Sequence, residues 1–444
     1  MNEKKDLDKI GNSKMENGRD PVTGSGTSIN GEREGLSLRH LRSFDSLKKP
    51  AFRLYLGNRI SYTASMHMEM MTRNLLIYRV TGSVTILGLQ ALAFGGCMLL
   101  FSFFGGVIAD RAQRKNILLI GQLLSAVFSL GIALSLTLGY LSTDHVNSWW
   151  ILIMGAVCQG TVMSFVMPSY HATLPEIVGG EQLLNAVSLN TLAFNGMRVL
   201  GPALAGFLID AFDFATVYYV ITGMYLISSV IISFLPRITT TALARQRLLS
   251  SVKDGLNYVR HETIVLLVLA FALVGIVLAL PYLTLMPIFA EDILKVGAAG
   301  LGLLMGFVGI GAISGCLIFA SLPDKKKGLL LIMSTVCLGV ALVGFAFSTS
   351  WYLSLFLLFF VGLGQSGLIA LATTVLLDYS RDEYRGRVMS IFTMQVGLMG
   401  FCGFGAALLT KIIGVQWAIG GFAIVLVFLS ILTLAFVPRL RKLN

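Results

Sequence analysis

Charge is scarce in this chain. Only 13% of its 444 residues are Asp, Glu, Lys or Arg, while 55% are hydrophobic. A water-facing surface cannot be built from so few charges, so a soluble globular protein is excluded and the bilayer becomes the solvent. Cysteine and histidine are scarce too, five of each. Cys97, Cys158, Cys316, Cys337 and Cys402 stand apart from one another inside apolar stretches, which excludes a disulfide framework and the ligand spacing of a metal site. The histidines do not cluster, and no nucleophile elbow or phosphate loop is present. Neither an enzyme nor an ATP-driven motor finds support, so no cofactor is expected and the energy source defaults to a proton or ion gradient. Residues 1–50 are rich in Gly, Ser, Asn and Lys and lack the apolar core of a cleavable signal peptide. They read as a disordered basic cytoplasmic tail. Its last part, with Leu38, Leu41, Phe44 and Leu47 among Arg39, Arg42, Lys48 and Lys49, has two readings: a short helix on the membrane surface, or a solvated basic segment.

Long apolar runs are what the chain does have. Runs of 18 or more residues predict helical spans and exclude a barrel of short alternating strands. They fall at roughly 54–78, 84–109, 117–141, 149–168, 184–209 and 216–235, then at 263–290, 298–320, 328–348, 351–376, 387–412 and 416–437. The expected architecture is an all-α membrane protein of twelve transmembrane helices in two pseudo-symmetric six-helix bundles, 51–236 and 263–444. Between them, 237–262 carries Leu248, Val252, Leu256 and Val259 at helical spacing beside Arg247, Lys253 and Arg260, which predicts a cytoplasmic linker with an amphipathic helix.

The net charge of +11 raises nucleic acid as a partner, but in a membrane protein the question is on which side the basic residues lie. They crowd the tail, the linker, the C-terminus and alternate loops, whereas the intervening loops hold only Arg79, Lys295 and Lys411. Both termini are therefore expected in the cytoplasm, with lipid and not nucleic acid as the surrounding partner. The halves also echo one another. Asp110-Arg111-Ala112-Gln113-Arg114-Lys115 after span two has a counterpart in Asp324-Lys325-Lys326-Lys327 after span eight, and Glu181 to Ser188 parallels Glu383 to Ser390. A duplicated six-helix unit is the trace of a transporter whose halves rock about a central site.

The spacing Gly106-x-x-x-Asp110-Arg111-x-x-Arg114-Lys115 resembles the cytoplasmic loop signature of the major facilitator superfamily. Leu174-Pro175-Glu176, Asn185-Ala186, Arg198-Val199-Leu200-Gly201-Pro202-Ala203-Leu204-Ala205-Gly206 and Arg385-Gly386-Arg387-Val388-Met389-Ser390 are similar to a subgroup holding the enterobactin exporter and macrolide-type efflux proteins. The resemblance spans about residues 51–440. It implies the major facilitator fold, a latch between the halves acting through Asp110, and, from the partial antiporter-like pattern at Gly201, Pro202 and Gly206, export. Gln113 departs from the pattern, where Gly is usual. By their own chemistry, Asp110 can cap the next helix, and Arg111, Arg114 and Lys115 can bind lipid headgroups or acids of the other half, or merely hold the loop inside. Pro202 can bend its helix while Gly201 and Gly206 let another backbone approach; plain small-residue packing is the rival reading.

Polar residues within spans carry the candidate site. Asn58, Arg59, His67, Glu69, Arg73 and Asn74 crowd span one, and Asn58, Arg59, Glu69 and Arg73 fall within an arc of about 100°. A charge at mid-bilayer costs about 2.5–3.5 kcal/mol, so this face must look into the bundle. Glu69 has two readings, a proton-coupling carboxylate that releases Arg73, or a permanent partner that solvates it. Arg198, without an acid on its own span, can seek Glu69 or an anionic substrate. Gln159, Asn190, Asn195, Gln365 and Gln395 complete the candidate cavity lining, each also a possible interhelical hydrogen-bonding group. Phe194, Tyr282, Met394 and Met399 can line a greasy pocket or simply pack. The reading reached is a monomeric, proton-coupled exporter of amphiphilic small molecules such as drugs or siderophores in a bacterial cytoplasmic membrane. A metabolite uniporter or importer and a non-transporting receptor or lipid-handling protein are the alternatives.

Overall fold

The computed structural model describes residues 46–111, 113–142, 148–179, 182–236, 257–322, 326–381 and 383–443, with only the helical backbone given for 103–111. Residues 1–45 of the expected tail (1–50), most of the linker, Asp324 and Lys325, and the side chains of Gly106, Asp110 and Arg111 thus lie outside the described part. Eleven helices among the described residues are long and apolar enough to cross a membrane: α2 (Val84 to Arg111), α3 (Arg114–Thr137), α4 (Trp150–Val178), α5 (Leu183–Ala211), α6 (Phe214–Ser233), α7 (Thr263–Ile293), α8 (Gly297–Ser321), α9 (Lys327–Phe347), α10 (Trp351–Tyr379), α11 (Arg385–Ile413) and α12 (Val415–Phe436). The twelfth, α1 (Pro50–Thr81), is 32 residues long and too polar to lie against acyl chains. Its length of about 48 Å still spans a bilayer. It is sheltered by packing along α5 and α6.

Local chemistry sets the ends. Pro50 opens α1, where its missing N–H costs nothing, and Gly82, at φ 57°, closes it by donating its N–H to the Tyr78 carbonyl at 2.8 Å. Between α2 and α3 lie only two residues. Gln113 is extended there, at φ −62° and ψ 114°, a backbone that any side chain tolerates, so this turn does not require the usual glycine. Helix α4 runs to Val178, ten residues beyond expectation, straight through Pro168 and Pro175. In a membrane a proline can stay inside a helix when neighbours satisfy the loosened backbone, and Arg114 donates to the Ala172 carbonyl at 3.1 Å in the turn below Pro175. Helix α7 breaks at Leu280–Pro281 and finishes in a π-helical turn, Phe289–Ile293, that places Glu291 and Asp292 at its tip.

Two six-helix bundles result, α1–α6 and α7–α12. Their kinship is visible in matched parts. Helices α4 and α10 each have 29 residues, as do α5 and α11. At the first residue of α3, Arg114 pairs with Glu176 near the end of α4; at the first residue of α9, Lys327 pairs with Asp378 near the end of α10 at 2.7 Å. The halves meet chiefly along α5 with α8 and α2 with α11. A side chain at Gly206 would run into the Ala298 carbonyl, and one at Gly302 into that of Pro202, so these glycines set how closely α5 and α8 approach. Large apolar side chains such as Leu192, Phe207 and Phe428 are exposed on the outer surface, as lipid demands. Asn58, Arg59, Glu69, Arg73 and Gln159 are buried inside.

Candidate functional site

With twelve antiparallel spans, the start of α1 and the end of α12 share one face, here termed the terminal face; the opposite one is the far face. Inside the first bundle, α1 presents its polar residues in separate groups. Asn58, fully buried, donates to Gln122 of α3 at 3.1 Å and to the Ser228 carbonyl of α6 at 2.8 Å, and accepts from the Tyr170 hydroxyl of α4 at 2.6 Å. It ties four helices together, which corrects its expected place in the cavity lining: both ends of its amide are used by the bundle itself. Asn74 accepts from Gln90 of α2 through its Oδ1.

Glu69 lies about 29 Å along α1, near its middle. Its Oε1 accepts from Arg73 at 2.9 Å and its Oε2 from the Tyr225 hydroxyl of α6 at 2.8 Å. Tyr225 accepts in turn from Gln159 of α4 at 3.2 Å, and Gln159 accepts from Ser125 of α3 at 3.3 Å. Gln159 therefore supports Glu69 from behind instead of lining a cavity. Glu69 is the one described carboxylate deep within a span; the other described acids sit at or near helix ends. An opposite charge and a hydroxyl both serve the carboxyl group at this depth, which offsets part of the cost of burying it.

The remaining charges of the interior are cations. Arg59 is 3% exposed, with its guanidinium carbon 4.4 Å from the centre of the Tyr170 ring and 5.2 Å from that of Phe194. No hydrogen bond links it to a described residue, and its buried Nε and Nη1 have no partner among them. The Phe194 ring also meets His67 edge-on at 5.5 Å, and the His67 Nε2 is likewise buried without a partner. Arg198, one turn past Phe194 on α5, donates to Gln365 of α10 at 2.8 Å, across the two halves. The expectation that it seeks Glu69 is overturned, because Glu69 is already held by Arg73. Tyr282 of α7 is buried, its hydroxyl without a partner among the described residues. Asn190 and Asn195 lie half-buried on α5, the Asn190 carbonyl oxygen without a partner, and Gln395 is buried on α11. No described hydrogen bond joins them to this group.

The two faces are held differently. On the far face, contacts cross between the halves: Arg79 at the end of α1 donates through Nε and Nη2 to Glu291 at 3.1 and 2.7 Å, Tyr78 bonds Asp292, and Asp210 of α5 accepts from the Ala299 N–H of α8 at 2.8 Å. On the terminal face, the described ion pairs stay within a half. Arg114 binds Glu176, Lys115 donates to the Ser233 and Leu235 carbonyls, each at 2.6 Å, and Lys327 binds Asp378. The described part of the expected latch thus grips its own bundle. Helix α5 shows the same asymmetry: Gly201, Pro202, Ala205, Gly206 and Ile209 are buried, while no residue from Val187 to Leu200 is. Gly201 packs on His67 and Ala64 of α1, and Gly206 on α8. The molecule is closed at the far face. The sequence pointed to neither Tyr225 nor Tyr170, since a tyrosine in an apolar run looks like packing, nor to the Glu291–Asp292 tip, whose partner is more than 200 residues away.

Two six-helix bundles, clasped at one face around an interior that holds Glu69 and buried arginines, define a secondary transporter of small molecules. The chain belongs to the major facilitator superfamily, in the family described as transmembrane secretion effector, whose profile matches residues 42–444. It is similar to YfiS of Bacillus subtilis (strain 168), named an uncharacterized MFS-type transporter, at 26% identity over 383 residues, 81% of this chain and 86% of that one. It is also similar to the enterobactin exporter EntS of Escherichia coli O1:K1 / APEC, at 25% identity over 349 residues, 78% of this chain and 82% of that one. Among solved structures it shares its fold with the nucleoside transporter NupG, at a TM-score of 0.67 and 12% identity, over 87% of this chain and 98% of that one.

Proposed function

We propose that this transporter exports amphiphilic small molecules across a bacterial cytoplasmic membrane in exchange for protons, as a monomer with both termini in the cytoplasm. The basic loops on the terminal face support that orientation, and the similarity to an exporter supports the direction. In this reading the conformation, clasped at the far face, is open toward the cytoplasm and ready to load.

The observation that carries the coupling is Glu69, a mid-membrane carboxylate shared between a cation and a hydroxyl. A proton entering from outside neutralises it, which removes the partner of Arg73 and frees Tyr225. Protonation leaves Arg73 as an uncompensated cation and unlocks the bundle, which can then swing in either direction, here to face the cytoplasm. Release of the proton there restores the ion pair, and the substrate crosses in the opposite step. In everted vesicles, an imposed pH gradient should drive uptake of a subset of an amphiphilic dye panel of either charge. Glu69→Gln should abolish substrate-driven proton release, by at least tenfold. Uptake that ignores the gradient sinks the antiport reading, and unchanged exchange in Glu69→Gln removes this carboxylate from the mechanism.

A further inference from the structure

Three cations lie deep in the described spans, and only one has an acid. Arg73 is paired with Glu69; Arg59 and Arg198 are not paired with any described carboxylate. Arg198 has the amide oxygen of Gln365 as its hydrogen-bond partner. Arg59 has only ring faces, which ease a buried cation but leave its N–H groups undonated. Such a charge is expensive to bury, and static packing offers it nothing beyond the Tyr170 and Phe194 rings.

These cations share neighbours. Phe194 touches Arg59 and His67 from a position four residues before Arg198, on the same face of α5, and Gly201, three residues past Arg198, packs on His67. Phe194 itself is half-buried, on the stretch of α5 that has no fully buried residue. An aromatic wall thus stands between two cations at the edge of the less packed half of the helix. A neutral ligand would leave both charges uncompensated, and a cation would add a third.

We infer that Arg59, Arg198, His67, Phe194 and Tyr170 form a binding site for an aromatic organic anion: a carboxylate or similar acid whose charge meets the guanidinium groups while its ring lies against Phe194. The inference deepens the transport reading by naming the substrate class, and it rests on that reading for the fate of the bound molecule. Arg59 sits on the first bundle and Arg198 bridges to the second through Gln365. An anion drawn to both would compete with that bridge, so loading would loosen a contact between the halves.

The test measures binding without any gradient, to purified protein in nanodiscs at pH 7, using 2-naphthoate, its neutral amide 2-naphthamide, and the cation 2-naphthylmethylammonium. The carboxylate should bind at least tenfold more tightly than the amide, and the cation more weakly than both. Arg59→Gln should erase the carboxylate's advantage while amide binding stays within twofold, and Arg198→Gln should reduce it in part. Arg59→Lys should restore some of it. Thermal melting of each variant checks the fold. If Arg59→Gln does not fold, the wild-type preference and the Arg198→Gln arm decide. A carboxylate that binds no better than its amide, including failure of all three to bind, overturns the inference, as does full preference retained in a folded Arg59→Gln. Because no proton moves in this experiment, loss of coupling in Glu69→Gln vesicles would leave it standing, and its failure would leave the coupling claim untouched.

Discussion

The far and terminal faces of this transporter use the same chemistry for opposite ends. At both, a basic residue at a helix end meets an acid at another helix end. At the far face Arg79 and Glu291 belong to different bundles, so the pair joins the halves. At the terminal face Arg114 with Glu176, and Lys327 with Asp378, join neighbours within a bundle. Pairs of the first kind must break each time the halves rock; pairs of the second kind keep each bundle rigid while it does. Exposure divides the cations but not the acids. The side chains of Arg114 and Lys327 keep 9% and 13% of their surface in solvent and that of Arg79 keeps 34%, whereas Glu176 and Glu291 both keep 25% and Asp378 keeps 45%. A contact that has to open is better wet, because surface pairs are worth little.

Substitutions can break this comparison in order of effect. Arg114→Ala should destabilise most, by about 2–3 kcal/mol, since it strands a partly buried carboxylate and an open helix carbonyl. Thermal melting in detergent would read the loss. The same variant should leave unchanged the labelling of a cysteine placed at Thr284, between the halves, by an impermeant maleimide added at the far face. Joint Glu291→Gln and Asp292→Asn should do the reverse. Melting would barely move, while labelling of the Thr284 cysteine should rise roughly fivefold, as expected for about 1 kcal/mol of a solvent-screened clasp. Asp210→Ala removes the acceptor at the N-terminus of α8 and should raise that labelling by a smaller factor, roughly threefold.

The smallest effect sharpens the contrast from within one bundle. Asp213 caps α6 by accepting from the Thr216 N–H at 2.7 Å, and hydrogen bonding from the Thr216 side chain, with that of its N–H, holds the carboxyl below the ordinary aspartate range. A carboxylate lowered in the folded state stabilises fully above its unfolded value, and the contribution disappears as pH falls through the lowered one. Asp213→Ala should therefore cost about 0.5–1 kcal/mol at neutral pH, nothing in strong acid, and should leave the far-face labelling unaltered.

Much of the fold was legible because bilayer thickness forces apolar runs of fixed length, and most span ends agree with the helices within a few residues. The exception is instructive. Pro168 followed by Ser169 and His171 reads as a helix end by soluble-protein rules, yet α4 continues, because in a membrane the backbone has no better option. The site was legible only in part. The sequence shows that Glu69 and Arg73 can pair, being four apart, but Tyr225 is 156 residues away and nothing in its run sets it apart. Periodicity put Asn58 and Arg59 on one ionic face; neighbours from α3, α4 and α6 then satisfied Asn58 completely and gave Arg59 only rings. Partners at that separation are fixed by packing between helices, which a one-dimensional pattern does not carry.

The central claim is that the faces open in alternation and that Glu69 couples this to protons. Spin labels report it directly in a variant lacking the five native cysteines, with one pair at Ser188 and Ser321 on the terminal halves of α5 and α8 and another at Phe212 and Leu303 on their far halves. At neutral pH without ligand, the far pair should be short and the terminal pair long. Acidification should move the two distances in opposite directions, and Glu69→Gln should make both insensitive to pH. Distances that change together, or a pH response that survives in Glu69→Gln, would contradict the account.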